Sequence, residues 1–188
     1  MINLISFFSI LTILGHLFLF FTLFLFLSKN FFKFIRKKLS FIEFFSKYLS
    51  KYNLLFAFLV SLFAVLGSLS FSEILKLEPC KLCWYQRIFF YPLVIFLGLP
   101  LFFKKLRNDF KILKKYILIM ALIGSLFSAY HYIIQVYGSF FKMNFVCDIN
   151  GVSCSIAYFQ FGYVTIPLMA LTGFLMIIVF LTLYSKKD

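Results

Sequence analysis

Five long apolar runs organise this 188-residue chain, near 4–27, 53–71, 84–103, 116–137 and 162–184. Each can cross a hydrocarbon core of about 30 Å, since a helix rises about 1.5 Å per residue. Such a core holds no water, so a spanning segment must satisfy its own backbone N–H and C=O groups, and a helix does this. Period-two alternation, the mark of a barrel strand, is absent. The chain is 63% hydrophobic with 31 Phe, more apolar surface than a soluble domain of this length can bury. The expected class is an all-α integral membrane protein.

The first run is expected to be a retained span rather than a secretory leader. No charge precedes Lys29, the run exceeds a leader's apolar region, and no small-residue cleavage site follows it. His16 inside this run is expected to face the bundle or the interface, as polar residues in spans usually do. Between the first two runs, Lys33, Arg36, Ser40, Glu43, Lys47 and Ser50 recur at steps of three and four. Phe34, Phe41, Phe45, Tyr48 and Tyr52 lie off that stripe, which predicts an amphipathic helix over 28–52 on an anionic membrane surface.

A net charge of +13 raises the question of nucleic acid. The location of the charge excludes that class: 15 of the 19 Lys and Arg fall in 29–51, 104–115 and 186–187, between or after apolar runs. Segments 28–52 and 104–115 carry seven and six basic residues against Glu43 and Asp109. Segments 72–83 and 138–161 are nearly neutral. Positive loops stay in the cytoplasm, which puts the N-terminus and both neutral loops outside. Cys80, Cys83, Cys147 and Cys154 all fall in those two outer loops. Thiols confined to an oxidising side point to disulfide chemistry.

Glu78-Pro79-Cys80-Lys81-Leu82-Cys83-Trp84-Tyr85-Gln86-Arg87 is the most informative stretch. Pro79 predicts a helix start, which places Cys80 in the first turn, where amide N–H groups and the helix dipole favour a thiolate. Cys80 and Cys83 share a face and can close a small, easily reduced ring. Trp84 and Tyr85 mark the lipid interface. The second pair, Cys147 and Cys154, flanks Asp148-Ile149-Asn150-Gly151, which is turn chemistry. Closing so short a loop stabilises by only about 2.5 kcal/mol. A redox relay, inert structural disulfides and a four-cysteine zinc site all remain compatible with this spacing. Six residues separate the second pair, against two to four in zinc motifs, so no metal is expected.

These motifs resemble the DsbB family of disulfide bond formation proteins, within it the compact BdbC-like group. The resemblance is carried by Pro79 to Arg87 with Ile88-Phe-Phe-Tyr-Pro92 behind it, Ala129-Tyr-His-Tyr132 with Gln135, Cys147 to Cys154, and Phe161-Gly-Tyr-Val-Thr-Ile-Pro167. It covers roughly 53–184 and implies a four-helix transmembrane bundle of DsbB type over 53–188. Residues 1–52 are then an extra N-terminal transmembrane helix and its basic surface helix. The resemblance further implies a multi-pass protein of the bacterial inner membrane that reoxidises a DsbA-like thioredoxin-fold partner and passes electrons to a membrane quinone, ubiquinone or menaquinone. In that scheme Cys147 and Cys154 face the partner, with Cys147 taking the mixed disulfide. Cys80 and Cys83 hand electrons to the quinone, Cys83 nearest the ring. Arg87 is the quinone-side arginine and His131 a histidine near the quinone.

Two other classes stay open: an enzyme like vitamin K epoxide reductase, and a non-catalytic scaffold or transporter subunit with structural disulfides. The former usually carries its CxxC late in the chain. The latter usually shows several ionisable residues within spans, where this chain has Arg87, His16 and His131.

Overall fold

A computed structural model describes residues 2–31, 40–103, 105–106, 110–141, 153–156 and 158–183. The described residues form five long helices: α1 Ile2–Phe31, α2 Ser40–Leu69, α3 Lys81–Phe102, α4 Phe110–Phe141 and α5 Ile166–Leu183. A π-helical turn, Ser70–Ile74, extends α2. Leu4–Phe24, Tyr52–Ile74, Lys81–Phe102 and Phe110–Gly138 are long and apolar enough to cross a membrane, and Ile166–Thr182 is a shorter apolar helix. At about 1.5 Å per residue the 18 residues of α5 reach about 27 Å, close to the hydrocarbon thickness.

α2, α3, α4 and α5 form a closed ring, each packed on the next and α5 back on α2. α1 lies outside this ring, chiefly against α5. The core runs between Leu93 and Leu97 of α3, Ile117 and Ala121 of α4, and Phe174 and Ile177 of α5, all fully buried. Phe90 and Phe174 stack with centroids 3.7 Å apart. Gly124 of α4 makes room for them: a Cβ there would lie 2.4 Å from Phe174 Cζ. Lipid tails are as apolar as leucine, so such close approach of small residues does much of the work of holding helices together in a bilayer. Phe20, Ile95, Leu126 and similar side chains remain exposed on the outer faces, as a lipid solvent permits.

Three local expectations need correction. The basic segment 28–52 is not one surface helix. Its first residues belong to α1 and its second half to α2, while 32–39 lie outside the described residues. A surface helix and the extension of a span share the 3.6-residue period, and no Pro or Gly interrupts Ser40 to Leu66 to separate them. The helix expected to start at Pro79 begins two residues later, at Lys81: Cys80 is its N-cap, with φ −68° and ψ 170°. Its carbonyl accepts the first helical bond, from Trp84 N at 3.1 Å. The last helix starts at Ile166 rather than 162. Phe161 and Gly162 take φ of 50° and 82°, and Gln160 and Val164 pair across that turn, so the chain turns before it can coil.

Candidate redox site

Cys80 stands where three parts of the fold meet. As the cap of α3 it sits just outside the span, 6% exposed, beside the amides of the first helical turn. Its Sγ is 3.2 Å from Cys83 Sγ, one turn on. His131 of α4, fully buried, places Nε2 3.6 Å from the same sulfur. The hydrogen bond shared with the Cys83 thiol holds the Cys80 thiol down to about 4, with help from His131 and against the effect of burial. A thiol there is a thiolate at neutral pH, the reactive form.

The hydrogen-bond chain fixes the tautomer of His131. The Gln86 amide nitrogen is 3.1 Å from Nδ1 and can only donate. Nε2 therefore carries the hydrogen, which it directs to the Cys154 carbonyl at 3.2 Å and toward Cys80 Sγ. Gln135, one turn further along α4, donates to the carbonyl of Ile156 at 2.9 Å. These two side chains strap Cys154 to Ile156 onto α4. As a result the Cys80 and Cys154 sulfurs and a His131 ring nitrogen all lie within 4.8 Å of one another. Cys154 is buried and disulfide-bonded, whereas Cys80 and Cys83 are free thiols. A sulfur engaged in a disulfide is not a thiolate ligand, so this trio is no metal site in that state. Cys147 lies outside the described residues.

On its other side Cys80 opens into a cavity of about 500 Å³, lined also by Cys83, Gln86, Arg87 and Phe90 of α3. Ala64 and Ser68 of α2 and Met169 and Gly173 of α5 add to its wall. Arg87 is 8% exposed and so does not reach out to the headgroups. Its Nε donates to Ser68 Oγ at 2.9 Å and its Nη2 to the Ser68 carbonyl at 3.0 Å. The guanidinium also lies 5.1 Å from the centre of the Trp84 ring. Two of its nitrogens are thus committed to α2, and among the described residues Nη1 has no hydrogen-bond partner. The cavity is of ligand-site size and apolar for most of its wall, with the two thiols, Arg87, Lys76 and Glu78 among its lining residues. That chemistry fits an apolar, redox-active ring with polar oxygens.

The site residues expected from sequence are therefore partly gathered. Cys80, Cys83 and Arg87 share the cavity, and Cys154 reaches Cys80 from behind. His131 does not itself line the cavity but lies against Cys80, which does, and against Cys154. A helical position cannot reveal which side of a neighbouring sulfur it will take. Sequence reasoning did not assign roles to Gln86 or Ser68. Gln86 stands inside the motif, four residues from Leu82 and one from Arg87, and a buried amide in a span is a signal in itself. Ser68 gives no such signal, because a lone serine in a span commonly bonds its own helix.

Residues 50–184 match the family model described as disulfide bond formation protein DsbB. Disulfide bond formation protein C of Bacillus subtilis is 47% identical over 132 residues, 70% of this chain and 91% of that protein. A probable disulfide formation protein of Coxiella burnetii is 37% identical over 137 residues, 72% of this chain and 89% of that protein. No solved structure gives a significant match.

Proposed function

This chain belongs to the DsbB family of disulfide bond formation proteins, and on that footing we propose that it is a membrane thiol:quinone oxidoreductase that reoxidises a DsbA-like, thioredoxin-fold partner. The single observation that carries this reading is the position of Cys80. Its sulfur is 3.2 Å from Cys83, within 4.8 Å of Cys154, and in the wall of the cavity that also holds Arg87.

Electrons move in pairs along that line. A partner thiolate attacks the Cys147 sulfur of a Cys147–Cys154 disulfide, and Cys154 leaves as the thiolate. Closure of the partner's own disulfide frees Cys147, so the partner is oxidised by two electrons and the second pair reduced by two. Exchange between Cys154 and Cys80 then passes the same two electrons to the Cys80–Cys83 disulfide, which opens to two thiols. Re-formation of the Cys80–Cys83 disulfide would then release the two electrons and two protons to a quinone bound in the cavity, which would supply the final acceptor and depart as quinol. Within the protein, His131 steadies the Cys80 thiolate and holds Cys154 at exchange distance. Arg87 offers Nη1 to negative charge on a ligand oxygen, in a cavity too apolar for water to do so. Cys83, one turn before Arg87, is the thiol beside that oxygen.

In this reading the working unit is the bundle 53–188, with 1–52 an appended segment. The cysteine loops and the N-terminus lie on the extracytoplasmic side of a bacterial inner membrane, following the charge of the loops. Trapping tests the division of labour. Cys154→Ser leaves Cys147 without a resolving thiol, so it should accumulate a covalent complex with the partner on non-reducing gels. Cys80→Ser should still exchange with the partner but deliver nothing to quinone. Full turnover after loss of either pair would remove the relay.

A further inference from the structure

The family match begins at residue 50, so α1 stands outside it, yet α1 is part of the cavity. Phe7, Phe8, Leu11 and Thr12 line the same space as Cys80, Cys83 and Arg87. Their presence there is not loose contact. Phe8 meets Phe71 edge to face at 5.4 Å and lies over Gly67, where a Cβ would come within 2.8 Å of its ring. Gly15 sits against Thr172 and Met176 of α5, again with no room for a Cβ. Beside it His16 completes a polar chain. Thr172 Oγ1 donates to the Leu168 carbonyl at 2.8 Å and so accepts from His16 Nε2, also at 2.8 Å. His16 Nδ1 is then left to accept from the Tyr163 hydroxyl at 3.3 Å. Every polar atom of that chain has a partner inside an apolar medium, where an unmade bond is costly. The opposite face of α1 is bare: Leu14, Leu17 and Phe20 are exposed to lipid. One stripe of α1 is thus fitted to the bundle, and its first turns form part of the cavity wall.

We propose that α1 is a specificity wall of the electron-acceptor cavity, with Phe8, Leu11 and Thr12 touching the bound quinone and limiting which ring substituents and chain it admits. This rests on the quinone reading above. It assigns the appended helix a direct part in acceptor binding and gives Gly15, Gly67 and His16 the task of seating it.

The test uses the full-length protein in detergent or liposomes with a photoreactive azido-benzoquinone, followed by peptide mapping, and quinone kinetics of two variants. Label should appear on the α1 peptide that contains residues 7–12 as well as on α3. Leu11→Trp should raise the KM for a short-chain benzoquinone about tenfold, the scale on which a changed apolar contact discriminates ligands. Leu17→Trp, on the lipid face, should leave KM unchanged and shows that tryptophan in α1 is tolerated. Label confined to α2, α3 and α5, or an unchanged KM in Leu11→Trp while the wild-type protein reduces quinone, overturns the inference and leaves the acceptor reading standing. A wild-type protein that reduces no quinone overturns both.

Discussion

Cys80 gathers its properties from groups on three sides, and each can be removed singly. Its thiol is held at about 4, first by Cys83 and then by His131. A lowered value means that the thiolate persists as pH falls and is protonated only near that value. The reduced protein should therefore react with methyl methanethiosulfonate at Cys80 at a nearly constant rate between about pH 6 and 8, where an ordinary thiol, with a pKa of about 8.5, slows steeply. Cys83→Ala should move the midpoint up, and His131→Ala should move it up by less, as followed by mass spectrometry of the Cys80 peptide. A midpoint near that of a free cysteine in the wild-type protein would contradict the geometry. Arg87 gives a second residue-level prediction. Arg87→Gln keeps some hydrogen bonding but removes the charge, and should lower kcat/KM for quinone by about 100-fold, roughly the effect of losing one preorganised donor. Arg87→Lys keeps the charge but cannot bond Ser68 and a ligand together through a planar fork, and should lower it by less.

At the level of elements, the polar side chains of α4 are spaced to one side. Ser128, His131 and Gln135 are buried while Tyr130, Ile133 and Tyr137 face out. Gln135→Met should loosen the strap on Cys154–Ile156 and slow exchange between the two cysteine pairs; Gln135 also lines the cavity, so quinone reduction is followed separately. Stopped-flow oxidation of a reduced partner separates those steps. Gly124→Ala tests the packing of α4 on α5. Its new methyl would meet Phe174 at 2.4 Å, and overpacking of this kind destabilises by about 1–3 kcal/mol, visible as a lower thermal inactivation midpoint in detergent. The spans themselves were legible because bilayer thickness imposes a length that apolar runs reveal directly. Their ends were less so. The left-handed turn at Phe161–Gly162 and the cap at Cys80 depend on backbone angles that several sequences share. The strap by His131 and Gln135 depends on which face of α4 meets which loop, and periodicity leaves that open. The seating of α1 was illegible for the same reason: Gly15 and His16 announce a contact but not its partner.

For the whole molecule, the sulfurs of Cys154, Cys80 and Cys83 meet at one end of the ring of α2 to α5, beside an apolar cavity that α1 also lines. In the orientation proposed from loop charge, impermeant thiol reagents should label the cysteines in intact, mildly reduced spheroplasts, and a tag at Lys111 should resist external protease. Labelling of Cys80 only after lysis would reverse the orientation. The central claim is that thiol oxidation at these loops is coupled to acceptor reduction in the cavity. Its most direct test is anaerobic mixing of the purified protein with a reduced DsbA-like partner and quinone, counting partner disulfides and quinol together. The account predicts equal yields of the two, with both lost in Cys80→Ser beyond the first exchange. Partner oxidation without quinol, or quinol formation that survives Cys80→Ser, would contradict it.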